Sequence, residues 1–217
     1  DKSLPDGRII ATKGEAGYQA KTLAPGLYWG MWIWQYSIDM SGFTVIPEGK
    51  IGLVLSKDGQ EIPTGRILAR KVDSDNFQDA TFFLDNGGQK GRQTAFITTG
   101  SYRINTFLFE IVIVDQIKIY ENMIGIVTAL DGEPIPQGQI AGKFVEGHNN
   151  FQDFDKFLDT GGNRGLQPQV MLAGSYYINT WGVQIEQNPM TDVPIGYVGV
   201  VISYIGEDGQ DVTGDTF

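Results

Sequence analysis

The chain has 217 residues, with 29 glycines, 19% charged residues and 41% hydrophobic ones, a balance that points to a globular fold built of β-structure and turns. Its formal charge is −10, from 16 Lys+Arg against 26 Asp+Glu, so it has no electrostatic route to a phosphate backbone or an anionic lipid surface, and nucleic acid is excluded as an expected partner. Cysteine is absent, which removes disulfides, thiolate metal sites and cysteine nucleophiles together.

In chain order the first segment reads as a closing half-unit over residues 1–42. Leu23-Ala24-Pro25-Gly26-Leu27-Tyr28 lies 74 residues before Ile97–Tyr102, where Gly100-Ser101-Tyr102 recurs. Tyr28-Trp29-Gly30-Met31-Trp32-Ile33-Trp34 follows as the densest aromatic cluster. It aligns with Phe107-Leu108-Phe109 and with Trp181, so packing inside a unit or between units is expected, with a lipid interface as the other reading. Trp29, Trp32, Trp34 and Trp181 are therefore the candidate oligomer or membrane contacts.

Residues 43–116 read as a first full module and 117–190 as a second. Lys50–Ser56 is an apolar strand ended by Lys57-Asp58-Gly59, a hairpin-type turn, with Arg66–Val72 as its expected partner strand. Phe77, Ala80, Thr81 and Leu84 then fall at helical spacing behind a cap expected at Asp75 or Asn76. That helix should stop at Asn86-Gly87-Gly88, with glycine in the left-handed C′ place. Ala95–Thr98 and Tyr102–Thr106 are expected as strands joined through Thr99-Gly100, and the Ile/Val-rich stretch Phe107–Tyr120 leads into the next module.

The second module repeats the first. Asn76-Phe77-Gln78-Asp79 returns as Asn150-Phe151-Gln152-Asp153, and 17 of 31 residues are identical between 76–106 and 150–180. Ile51-Gly52-Leu53-Val54 returns as Ile124-Gly125-Ile126-Val127, and Ile62-Pro63 as Ile135-Pro136. Residues 191–217 open a further module with Val198-Gly199-Val200-Val201 and Asp208-Gly209. The expected fold is therefore β-rich α+β, in tandem modules of about 74 residues, each mostly antiparallel strands with one short helix. The array is expected to continue beyond Phe217, and a start at Asp1 reads as a processed or excised piece.

Three local patterns could carry chemistry. Gly87-Gly88-Gln89-Lys90-Gly91 and Gly161-Gly162-Asn163-Arg164-Gly165 set cations in glycine loops, which makes Lys90, Arg92 and Arg164 candidate ligand contacts. These loops follow a helix rather than opening one, and a helix C-terminus repels phosphate, so a capping role is the expected one. Asp73-Ser74-Asp75-Asn76-Phe77-Gln78-Asp79 resembles the start of a calcium loop. Its copy, Gly147-His148-Asn149-Asn150-Phe151-Gln152-Asp153, loses two acidic positions, so no metal is expected and Asp79 and Asp153 are placed in the first helical turn. His148 is the only histidine, too few for a catalytic triad, and is expected exposed in a polar loop. No catalytic residue or cofactor is assigned.

Ile46-Pro47-Glu48-Gly49-Lys50-Ile51-Gly52, its counterpart Val193-Pro194-Ile195-Gly196-Tyr197-Val198-Gly199, and the closing Leu23–Tyr28 and Leu172–Asn179 segments resemble the band-7 (SPFH) family of stomatins, prohibitins and flotillins. The resemblance is to the flotillin-like members and covers the β-rich edge of each unit. It implies a non-enzymatic, membrane-associated scaffold that forms homo-oligomers. Membrane attachment would run through segments outside this chain, with this piece on the cytoplasmic side more than the periplasmic. The alternative is a binding module that uses the twin Gly-Gly-x-Lys/Arg-Gly loops.

Overall fold

A computed structural model describes residues 3–5, 7–32 and 34–202. Asp208-Gly209 lies outside the described residues. Among the described residues the fold is a β-rich α+β array with two short helices.

Among the described residues the N-terminal segment contributes β1 (Ile10–Ala11) and β2 (Tyr18–Gln19), paired in parallel. The first module holds β3 (Thr44–Ile46), β4 (Lys50–Ser56), α1 (Ala80–Asp85), β5 (Gly91–Ile97), β6 (Gly100–Tyr102) and β7 (Phe109–Asp115). Here β4 is the middle strand of an antiparallel sheet ordered β5-β4-β7, and β3 pairs with β6. The second module repeats this order with β8 (Ile117–Ile119), β9 (Met123–Ala129), α2 (Phe154–Asp159), β10 (Gly165–Met171), β11 (Gly174–Tyr176) and β12 (Val183–Pro189). Its sheet is β10-β9-β12, beside the pair β11-β8.

Both middle strands need a glycine. A Cβ on Gly52 would stand 2.7–2.9 Å from Ile97, Ile111 and Ile46, and one on Gly125 would stand 2.6 Å from Ile119. The sheet therefore closes onto its neighbouring side chains at this one position in each unit. A trio of phenylalanines fills the space beneath. Phe77, Phe83 and Phe109 meet at centroid distances of 5.0–6.0 Å, and Phe151, Phe154 and Phe157 at 5.3–5.4 Å. Each helix ends as the glycines require. Gly87 and Gly161 take φ of 79° and 76°, and the N–H groups of Gly88 and Gly162 donate to Phe83 O and Phe157 O.

Several expected pairings are corrected. Arg66–Val72 is not the partner of Lys50–Ser56, because β4 already has β5 and β7 on its two edges, and Arg66–Leu68 turn to the next module instead. Thr99-Gly100 does not join a hairpin, since β5 pairs with β4 while β6 pairs with β3. The helix cap is Asp79 rather than Asp75 or Asn76, and its carboxylate accepts from Phe82 N, as Asp153 does from Lys156 N. Residues 75–77 instead form a left-handed turn with φ of 51°, 52° and 64°, repeated at 149–151 with 47°, 51° and 61°. Consecutive left-handed residues other than glycine cost energy. The two buried aromatics, Phe77 and Phe151, anchor each turn from below.

His148 is not exposed; it is 4% accessible. Its Nδ1 accepts from Phe151 N at 2.8 Å, which puts the proton on Nε2, and that nitrogen donates to Val145 O at 3.0 Å. The ring also lies 4.2 Å from Phe151. His148→Ala removes both partners and leaves the Phe151 N–H buried without an acceptor, so the second module is expected to lose about 2 kcal/mol in urea denaturation. His148→Ser should recover part of that loss, because Ser74 occupies the same position in the first module. A His148→Ala variant as stable as the parent would show that water replaces the ring.

Candidate assembly interface

The units are joined by one device used twice. Asp58, two residues past the end of β4, is 1% exposed although it is a carboxylate. Its Oδ2 accepts from Ile9 N at 2.8 Å and Ile10 N at 2.7 Å, and its Oδ1 accepts from Gly59 N at 2.7 Å. Arg8 Nε lies 2.9 Å from the same Oδ1 as a charge partner. In the second module Asp131, also 1% exposed, takes Ile67 N at 3.1 Å, Leu68 N at 2.9 Å and Gly132 N at 2.8 Å, with Arg66 Nε at 3.2 Å. The donor segments match at four of five positions, Gly7-Arg8-Ile9-Ile10-Ala11 against Gly65-Arg66-Ile67-Leu68-Ala69.

A second fastener lies beside it. Asn105 Nδ2 donates to Gln19 O at 2.9 Å and Ala20 O at 3.0 Å, and Asn179 Nδ2 donates to Gln93 O at 2.8 Å and Thr94 O at 2.9 Å. Each asparagine's own oxygen accepts from a backbone N–H two residues on, which fixes the orientation of the amide. Burial accompanies these bonds. Ile10 and Ala20 belong to the core of the first module, and Leu68 belongs to the core of the second. Each unit thus completes the hydrophobic core of the unit that follows it.

Burial by itself would raise the Asp58 carboxyl. The N–H groups of Ile10, Ile9 and Gly59, helped by Arg8, outweigh it and hold the group below its ordinary value. A carboxylate depressed in the folded state adds stability that is complete above the ordinary carboxylate range and is lost as the pH falls through it. The joint should therefore weaken from about pH 5 downward. Asp58→Asn should flatten that acid limb of a urea-midpoint profile while lowering the plateau at neutral pH. An acid limb of unchanged slope would place the sensitivity elsewhere.

The glycine loops seat this device. A Cβ on Gly59 or Gly132 would come 2.4 Å from the carbonyl oxygen of Gly88 or Gly162, so the Asp-Gly turn lies directly on the loop. Lys90 N donates to Gln60 O and Arg164 N to Glu133 O, both at 2.8 Å. Those backbone N–H groups are thereby committed to the chain itself. The side chains of Lys90 and Arg164 are exposed.

Trp181 lies at the second joint, with the Arg92 guanidinium 5.3 Å from its ring centroid. At the first joint the matching positions, Tyr18 and Phe107, stack at 4.1 Å. Trp29, Trp32 and Trp34 are not packed into a core. They are 95%, 56% and 80% exposed, and Trp32 stacks on Trp34 at 5.3 Å. The reason is that the N-terminal segment has no long middle strand beside it among the described residues.

Asp58 and Asp131 had no place among the sequence candidates. Their signal was the Asp-Gly at the same point of each unit together with the recurring Gly-Arg-Ile-x-Ala, two motifs separated by about 50 residues or more. Among the described residues no group of three or more His, Asp or Glu is placed to hold a metal ion, and no helix is long and apolar enough to cross a membrane. No family model, curated protein or solved structure matches the chain.

Proposed function

We propose that this chain is a non-enzymatic scaffold element whose work is assembly, in which the polar groups are spent on joining units. One observation carries the reading. The same buried carboxylate, asparagine amide and core-completing aliphatic residue recur at both joints, so the device is modular and can be extended. The band-7 resemblance supports homo-oligomers next to a membrane, attached through segments outside this chain and lying on the cytoplasmic side.

The binding-module alternative is favoured less, since the loop N–H groups that would hold an anion already meet Gln60 and Glu133. A groove of about 220 Å³ between the modules is small for a ligand site, and Asp155 on its wall already accepts from Lys71 N and Thr94 Oγ1. Negative-stain imaging of the purified chain should show rings or filaments. Calorimetric titration with inorganic phosphate should show no saturable binding. Isolated particles, together with phosphate binding lost in Lys90→Ala and Arg164→Ala, would replace the scaffold by the binding module.

A further inference from the structure

The two modules differ along one sheet edge. β7 and β12 are outer strands, each paired on one side with the middle strand of its sheet and, among the described residues, with no strand on the other. The edge of β7 stays open although the second module follows it directly in the chain. In an antiparallel ladder the backbone groups of successive residues point alternately toward and away from the neighbouring strand. Lys57 N donates to Leu108 O and Gln116 N to Gly49 O, which turns the even-numbered residues of β7 toward β4. Ile111, Ile113 and Asp115 therefore point their N–H and C=O groups outward, where no group among the described residues meets them.

At an offset of 74, Glu110-Ile111-Val112-Ile113-Val114-Asp115 becomes Gln184-Ile185-Glu186-Gln187-Asn188-Pro189. β12 is blunted as edge strands commonly are. Glu186 charges its centre, and Pro189, at an outward-pointing position, has no N–H to offer. β7 carries neither device, and its Val112 and Ile113 are 39% and 45% exposed. An apolar edge left open in this way is a template for another strand.

We propose that β7 of one copy pairs antiparallel with β7 of a second copy about a two-fold axis at Val112, which joins two three-stranded sheets into one. The inference deepens the scaffold reading and rests on it for the choice of a second copy as the partner. Ile111-Val112-Ile113 reads the same in both directions, so an antiparallel copy meets its own sequence. Ile111 then exchanges both backbone bonds with Ile113 of the second copy, while Val112 packs on Val112 as the close, non-hydrogen-bonded pair. Glu110 comes opposite Val114 and Asp115 opposite Phe109, so no two carboxylates are opposed. Asp115 also keeps Lys50 at 2.8 Å as its counter-charge. The same pairing of two β12 strands would set Glu186 against Glu186, an opposition of like charges that destabilises a sheet. The β7 contact is isologous and closes on itself. The joints link units along one chain, and this contact ties two chains side by side.

The test uses the 217-residue chain and light scattering over a hundredfold concentration range. The parent should rise from 23.9 kDa to twice that mass or an even multiple of it. Val112→Glu, which copies the second module's residue at this position, should stop at half the parent's limiting mass with an unchanged circular dichroism spectrum. Val112→Lys should do the same, and mixing the two variants should restore the parent's mass. Because the chain has no cysteine, Val112→Cys gives each copy one thiol, which has no partner within its own chain. Oxidation should link that variant into a dimer, since the opposed residues of a non-hydrogen-bonded pair have Cα atoms about 4.5 Å apart, within disulfide reach. Glu186→Cys, at the matching place in β12, should stay unlinked.

Equal assembly by the parent and Val112→Glu, with no linked dimer from Val112→Cys, would overturn the edge pairing and leave the scaffold standing. A parent that is monomeric at every concentration would overturn both. Linkage of Glu186→Cys to the same extent as Val112→Cys would overturn the assignment to β7. If the glutamate unfolds the module, the two cysteine variants decide alone.

Discussion

Replacing Asp131 with alanine is expected to uncouple the two modules at a cost of about 3–5 kcal/mol, the range for removing one member of a buried charged network. The carboxylate serves Ile67 N, Leu68 N and Gly132 N and faces Arg66, all from a position 1% exposed. Its loss orphans the Leu68 N–H inside the protein and leaves Arg66 without its counter-charge. Leu68 then has no anchor holding it in the core of the second module. Denaturation followed through Trp181 and by far-ultraviolet circular dichroism should change from one transition into two, the second module melting first. Asp131→Asn keeps an oxygen toward part of the cluster and should cost roughly half as much. A loss under about 1 kcal/mol with a single transition would show that aliphatic packing alone holds the units together.

The second large effect lies where each helix stops. Phe157 is fully buried among His148, Phe151 and Phe154, and Phe157→Ala is expected to cost about 3–5 kcal/mol. Gly162 is required by that ring rather than by its backbone, since a Cβ there would stand 2.4 Å from Phe157 Cζ. Gly162→Ala should therefore cost about 2 kcal/mol as overpacking. The two losses should not add. With the ring removed the new methyl enters vacated space, so the double variant should be more stable than the sum of the single losses by about 1 kcal/mol or more. Gly88 with Phe83 repeats the contact at 2.4 Å and gives an independent check. Strict additivity at both places would mean that Gly162 is needed for a different reason.

What could be read from the residues was local. The short apolar run Lys50–Ser56 appears as β4 over the same residues, and Gly87 takes the left-handed place after the helix. Strand partners were not legible, because a period of two tells which face a side chain takes and says nothing of which strand lies beside it. The Asp-Gly after β4 carries the signature of a hairpin turn. Its carboxylate instead collects N–H groups 48 and 49 residues away, a distance no turn rule spans. His148 misled for a related cause. Its polar neighbours suggest solvent, yet a ring nitrogen that accepts a backbone N–H can be buried at little cost. The tryptophan cluster aligns with buried positions, but alignment transfers a residue's place in the unit without the strand that covers it.

The fasteners are common to both joints, but the contacts around them differ. Tyr18 on Phe107 is a neutral stack, Arg92 over Trp181 pairs a cation with a ring, and Asp155 adds bonds to Lys71 and Thr94 where the first module has Thr81. A graft that exchanged the two junctions would set Tyr18 against Trp181 and leave Arg92 facing Phe107, with Asp155 meeting a surface not shaped for it. The segments are thus keyed as well as latched. Duplication supplied the latch, and divergence of the surrounding side chains wrote the order in which the pieces can be strung.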